Sequence, residues 1–260
     1  MRISVIVPTH RRPNALRHAL ASLRAQTHAD WEALVVDDGD GQGAEAARAW
    51  GDPRVIAWRN PGRGQVDARN AALAAASGAV AMWLDDDDWL EDAEHMTRVV
   101  GALRAGPALV TRGGWLVEVE PGDPITPVER GRAPFDLPAD AESLRRDNTV
   151  LTAGLAYPLA LHRALGPLDR ELDGYFDWDW HLRVVTAGFP IARLPGLGVA
   201  YRQHPGNRSR HVTDDRRRRF AALARKHVLD VVMKDHAGVL AERGGAPAAA
   251  GAGACAPALR

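Results

Sequence analysis

Ala79-Val80-Ala81-Met82-Trp83-Leu84-Asp85-Asp86-Asp87-Asp88 decides how this chain is read. The apolar run is too short for a helix and reads as a buried strand. Four carboxylates stop it. Like charges in such apposition repel, and a divalent cation relieves the repulsion through carboxylate oxygens. Oxygen donors suit Mg²⁺ or Mn²⁺. In isolation the run also reads as a solvated acidic turn before a helix, so the surrounding pattern has to decide.

That pattern is an alternation. Short apolar runs at 3–7, 33–36 and 54–58 read as strands. Helical spacing occupies 14–26, 44–50 and 65–76 between and after them. A further helix is expected at 92–104 and a fifth strand at 108–111. Such alternation implies an α/β fold, a mostly parallel central sheet with helices on both faces. Ligands bind such sheets beyond the carboxyl ends of the strands. The polar clusters sit there: Thr9-His10-Arg11-Arg12-Pro13, Asp37-Asp38-Gly39 and Asp85 to Asp88. Each also has a plain reading, as a helix entry or an Asp-Gly turn. Gly62-Arg63-Gly64-Gln65 opens the third helix but matches neither the Walker loop nor the dinucleotide fingerprint.

The alternation loosens after Thr111. Residues 115–120 read as a hairpin strand, and 121–147, with five prolines, as a long excursion. A helix is expected at 177–187, a strand at 198–202 and a helix or helix pair at 213–240. The Ala/Gly/Pro-rich stretch 244–260 reads as a flexible tail. In Tyr175-Phe176-Asp177-Trp178-Asp179-Trp180, an acid at a helix start sits among aromatics. There Asp177 serves either as a general base or as a helix cap.

Composition excludes several classes. Lys plus Arg and Asp plus Glu both number 33, so the net charge is zero and no global affinity for nucleic acid is expected. The single cysteine, Cys255, allows no intramolecular disulfide. No apolar window is long enough to span a membrane, and 3–7 is strand-like rather than a leader, so a cytoplasmic location is expected. The run Arg216 to Arg219 reads as a solvated helix face in preference to a contact with an anionic membrane surface.

Taken in order, Val5-Ile6-Val7-Pro8-Thr9, Val35-Val36-Asp37-Asp38-Gly39, Ala68-Arg69-Asn70, Leu84-Asp85-Asp86-Asp87-Asp88, Phe176-Asp177-Trp178-Asp179 and Tyr201-Arg202-Gln203-His204 resemble glycosyltransferase family 2. The resemblance spans roughly 3–209. It implies the GT-A fold over 1–243: a nucleotide-binding half at 1–110, an acceptor and catalytic half at 111–212 and a helical segment at 213–243. It implies inverting transfer from a nucleoside-diphosphate sugar, UDP-linked by preference, to a sugar or other hydroxyl acceptor. Pro8, Thr9, Arg11, Asp38, Arg69, Asp86 and Asp87 would bind the nucleotide. Asp87, Asp88 and His204 would hold Mn²⁺ or Mg²⁺, with the register along the four acids open by one and Asp85 and Asp86 as helpers. Asp177 would be the base, with Asp179 in reserve. The family's base usually follows a glutamate, and here Phe176 stands in that position. Two other readings stay open: a nucleotidyltransferase that makes nucleotide sugars, and a non-catalytic nucleotide-sugar-binding pathway protein.

Overall fold

A computed structural model describes residues 1–106, 109–207 and 211–243. The tail read at 244–260, with Cys255, lies outside the described residues, as does the start of the strand read at 108–111. The first half alternates as expected: β1 (Ile3–Thr9), α1 (Pro13–Arg24), β2 (Trp31–Asp37), α2 (Gln42–Ala49), β3 (Val55–Arg59), α3 (Gly64–Ala75) and β4 (Val80–Trp83). Then come β5 (Trp89–Leu90), α4 (His95–Ala105), β6 (Leu109–Val119), β7 (Glu129–Phe135), α5 (Ala141–Arg146), β8 (Ala156–Pro158), α6 (Leu159–Leu165), a 3₁₀ turn at Arg170–Leu172, α7 (Phe176–Thr186), β9 (Ile191–Gln203), α8 (Asp214–His227) and α9 (His236–Glu242).

One sheet runs in the order β3-β2-β1-β4-β8-β6-β9-β5, with β7 paired to β6. Strands β1, β2, β3, β4, β6 and β9 point one way, and β5, β7 and β8 oppose them. The run β3-β2-β1-β4 is wholly parallel, and every residue of β1 and β2 is buried. Burial on both faces is why these strands read as near-continuous apolar runs. Ile3, Val5 and Val7 pack with Leu16, Leu20 and Leu23 of α1 and Val99 of α4. Ile6, Leu34 and Trp83 pack on the other face with Val66 and Leu73 of α3 and Trp180 and Leu182 of α7. The result is helix, sheet and helix in three layers.

The second half departs from the simple reading. The strands read at 108–111 and 115–120 are one element, β6. Its Gly113-Gly114 step is where the register against β9 shifts. A Cβ on Gly114 would meet the Val199 carbonyl oxygen at 2.5 Å, so the close approach of β6 to β9 demands glycine there. The excursion at 121–147 folds back as the hairpin partner β7 and the short helix α5. It also sends Asp123 back to accept from the Asn14 and Ala15 amides at the start of α1. On α8, Arg217, Arg218 and Arg219 pair with Asp214 and Asp215, so most of the basic run is answered within its own helix. No helix among the described residues is long and apolar enough to cross a membrane.

A polar knot pins the start of the parallel sheet. Buried Glu32 of β2 accepts from Ser4 Oγ at 2.6 Å, from the Ser77 amide and hydroxyl at 2.9 Å, and from Arg2 at 3.0 Å. Burial opposes its charge, but these donors outweigh burial and hold the carboxyl below its usual value. Its contribution is therefore present at neutral pH and is lost as pH falls below about 4. Glu32→Gln is expected to cost about 1–3 kcal/mol at pH 7 in denaturant titrations and clearly less at pH 3.5.

Candidate functional site

The carboxyl ends of β1, β2 and β4 open into one cavity of about 660 Å³. Pro8 and Thr9 enter from the end of β1, His10 and Arg12 from the loop after it, and Asp38 from the loop after β2. Asp85, Asp86 and Asp87 form its floor, and Asp177 stands on the far wall. His204 follows β9, and residues from Val232 to Val239 close the remaining side.

Each acid of the run has its own partner. Asp85 pairs with Arg69. Asp86 accepts from Thr9 Oγ1 at 2.8 Å and from the His10 amide at 3.2 Å, and pairs with Arg12 at 2.9 Å. Asp87 pairs with Arg12 and, at 3.2 Å, with His204 Nε2. Asp88 Oδ1 accepts from the Arg202 amide at 2.9 Å, while its buried Oδ2 has no partner. Burial pushes Asp86 up to about 7 against the pull of Arg12. Burial also raises Asp85 and, most strongly, Asp88, with Asp87 adding to both. Asp87 alone falls below its usual value, because Arg12 and His204 outweigh its burial. Burial likewise works against the Arg12 charge, and Asp87 and Asp86 more than offset it.

These residues fit a divalent cation. One oxygen each from Asp85, Asp87 and Asp88 lie within 4.8 Å of one another, and the orphaned Asp88 oxygen is one a cation would satisfy. Asp86 is instead committed to the loop after β1.

Two arginines stand differently from the sequence reading. Arg11 has a left-handed backbone, φ 56, and its exposed side chain faces Asp40 at 4.0 Å, outside the cavity lining. Arg12, which the reading left without a role, turns inward instead. Arg69 is wholly buried beneath the floor, with its guanidinium 4.3 Å over the Phe176 ring and bonded to Asp85. Phe176 therefore covers a buried cation at the position where the resemblance expects a glutamate. The acidic pair after β2 divides its work. Asp37 accepts from the Gly39 and Ala44 amides and holds the turn. Asp38 faces the cavity, with Oδ1 taken by Asn60 and the Gly64 amide, both at 2.8 Å.

Asp177 and Asp179 lie about 200° apart around α7. Asp177 Oδ2 accepts from Asn148 Nδ2 at 2.7 Å, and Thr152 Oγ1 lies at 3.5 Å. Asp179 is fully buried against His227 at 2.8 Å, Lys226 at 2.9 Å and Arg183 at 3.5 Å. It ties α7 to α8 and does not line the cavity. Tyr175 and Trp178 do line it, whereas Phe135 is core. Sequence reading missed Asn148 and the closing segment at 232–239, since neither stands in a motif.

Residues 4–156 match the profile described as Glycosyl transferase family 2. The chain is 28% identical over 246 residues to "Uncharacterized glycosyltransferase YwdF" of Bacillus subtilis (strain 168), covering 93% of this chain and 90% of the relative. It superposes on S. aureus TarS 1–349 in complex with UDP-GlcNAc with a TM-score of 0.64 at 16% identity, over 90% of this chain and 68% of that one. A second TarS chain is matched over 42% of its length. The mannosyltransferase PcManGT from Pyrobaculum calidifontis, in complex with GDP-Man and Mn²⁺, gives 0.57 at 16% identity, over 95% of this chain and 66% of that one. At these identities the structural likeness speaks to the fold alone, which is GT-A.

The raised acids favour their protonated forms in the folded state. Their contribution is present at low pH and is lost as pH rises from the usual carboxylate range, towards about 7 for Asp86, with Asp88 shifted in the same direction by its burial. Asp88→Asn removes one such group. In calorimetry with EDTA, its stability relative to wild type should grow as pH rises from about 4 towards neutral. A difference independent of pH would contradict this account of the acid run.

Proposed function

The chain belongs to glycosyltransferase family 2, and from that membership we propose that it moves a sugar from a nucleoside diphosphate to an acceptor hydroxyl with inversion. The observation that carries the reading is the continuity of one cavity from Asp38, past the acid floor, to Asp177. A nucleoside diphosphate sugar spans such a path, with its base at Asp38, its phosphates over the acids and its anomeric carbon towards Asp177.

UDP is the proposed nucleotide. Asp38 Oδ1 is already taken twice, whereas Oδ2 has only the exposed His10 ring at 3.8 Å, so Oδ2 is the oxygen offered to a base. One acceptor suits the single imide N–H of uracil better than the paired donors of guanine. TarS, crystallised with UDP-GlcNAc, is in keeping with this choice, and PcManGT, with GDP-Man, leaves the alternative to experiment.

In the proposed reaction, the acceptor oxygen attacks the anomeric carbon from the face opposite the diphosphate. The bond from that carbon to the phosphate oxygen breaks, and its electron pair leaves with the diphosphate. The hydroxyl proton passes to Asp177. Arg12 stands beside the acids as a positive group for the leaving phosphates. Asp85, Asp87 and Asp88, with His204, would hold Mn²⁺ or Mg²⁺, which neutralises charge on a leaving diphosphate. Asp177 is favoured as base over Asp179 by their partners. Asp177 accepts from neutral groups and faces the cavity. Three basic side chains surround Asp179, and their hydrogen bonds and charges outweigh burial and hold it below its usual value.

The cavity-facing Asp177 also favours catalysis over a purely binding role. Asp177→Asn should cut release of UDP from UDP-sugars, with water or a sugar panel as acceptor, by about 10²–10⁴-fold. UDP binding by calorimetry should persist. Undiminished transfer by this variant would sink the assignment.

A further inference from the structure

The base of the proposed reaction has two oxygens with different surroundings. Oδ2 is held by Asn148 and approached by Thr152. Among the described residues, none donates to Oδ1. Asn148 sits between α5 and β8, far from α7 in sequence, and only the tertiary fold brings the two together. The Asn148 carboxamide can have only one orientation, because turning it would set its carbonyl against the carboxylate. That orientation leaves Asn148 Oδ1 buried with no partner. Buried orphans are rare and costly, and one beside a reacting group signals a demand that local stability does not set.

The loop is also held where this contact needs it. Asp147 pairs with Lys234 at 2.9 Å and with Arg243 at 3.1 Å, which fastens it to the chain around α9. Trp178 Nε1 donates to the Leu144 carbonyl at 2.7 Å, which fastens α5 to α7. Asn148 and Asp177 are thus carried by two elements that are bonded to each other.

We infer that Asn148 is a positioning residue: its N–H holds Oδ2 of Asp177, stabilises the ionised carboxylate and leaves Oδ1 as the atom that takes the acceptor proton. This rests on Asp177 being the base. In the transfer step the acceptor oxygen bonds to the anomeric carbon, the diphosphate leaves with its electron pair, and the proton ends on Oδ1. Asn148 neither gains nor loses a proton. The other titratable groups facing Asp177 are Asp85 after β4, Tyr175 just before α7, His181 on α7 and His236 at the start of α9. Burial lowers His181 to about 4 and lowers His236 as well, so both are neutral near pH 7. Among the described residues, the Asn148 amide is therefore the closest donor to the Asp177 carboxylate.

Carboxyl-carbon NMR on the full chain reads this atom directly, with Asp177→Asn identifying the Asp177 resonance. In Asn148→Ala the Asp177 carboxyl resonance should change position at pH 7, because the amide that holds Oδ2 is gone, and kcat for UDP release should fall about 10-fold with KM unchanged. Asn148→Asp keeps the shape of the side chain but loses the N–H, and should move the resonance at least as far. Thermal melts establish that each variant is folded. An Asp177 resonance unmoved, with kcat undiminished, in a folded variant overturns the inference. Failure of the base assignment looks different: Asp177→Asn would then still transfer sugar, whatever Asn148 does.

Discussion

Four adjacent carboxylates after β4 can be buried side by side only because each turns to a different part of the fold. Asp85 takes Arg69 from α3, and Asp86 takes Thr9, His10 and Arg12 from the loop after β1. Asp87 shares Arg12 with His204 beyond β9, and Asp88 takes the Arg202 amide in β9 itself. The repulsion within the run is thereby converted into cross-links between elements far apart in sequence. The carboxyl edge of the parallel sheet, the floor of the cavity and the end of β9 are all tied together by this one arrangement.

The arrangement is compensated but not complete. The Asp88 oxygen without a partner and the upward-shifted Asp85, Asp86 and Asp88 mark a site with more negative charge than its protein partners answer. Such an excess costs stability in the metal-free protein and is what a metal-assisted diphosphate site requires. On the opposite wall, Asp177 avoids cationic partners, while Asp179, two residues on, is surrounded by them. The two acids differ by the face of α7 they occupy. One faces the cavity, and the other fastens α7 to α8.

Much of this was legible in the sequence, for physical reasons. Strands buried on both faces leave unbroken apolar runs, and helices packed on one face leave periodic ones. The parallel half was therefore readable from β1 to β4. The polar clusters at the strand ends gave away the rim. Very short strands such as β5 and β8 carry no period of their own, and the glycines that let β6 approach β9 looked like a break between two strands. Choosing between Arg11 and Arg12 needed the backbone, since a left-handed residue at Arg11 sends one side chain out and the next one in. Arg69 was readable as part of a motif but not as a buried cation under Phe176. Asn148 and the segment at 232–239 reach the cavity only through long-range packing, which leaves no local trace.

The central claim is that this single recess receives a nucleoside diphosphate sugar with the aid of a metal. Thermal melting with UDP, GDP, dTDP or CMP, each with Mn²⁺ or with EDTA, tests it most directly, because a ligand that binds only the folded state raises its stability. The account predicts a rise with UDP that EDTA abolishes. No shift with any of the nucleotides at millimolar concentration would contradict it.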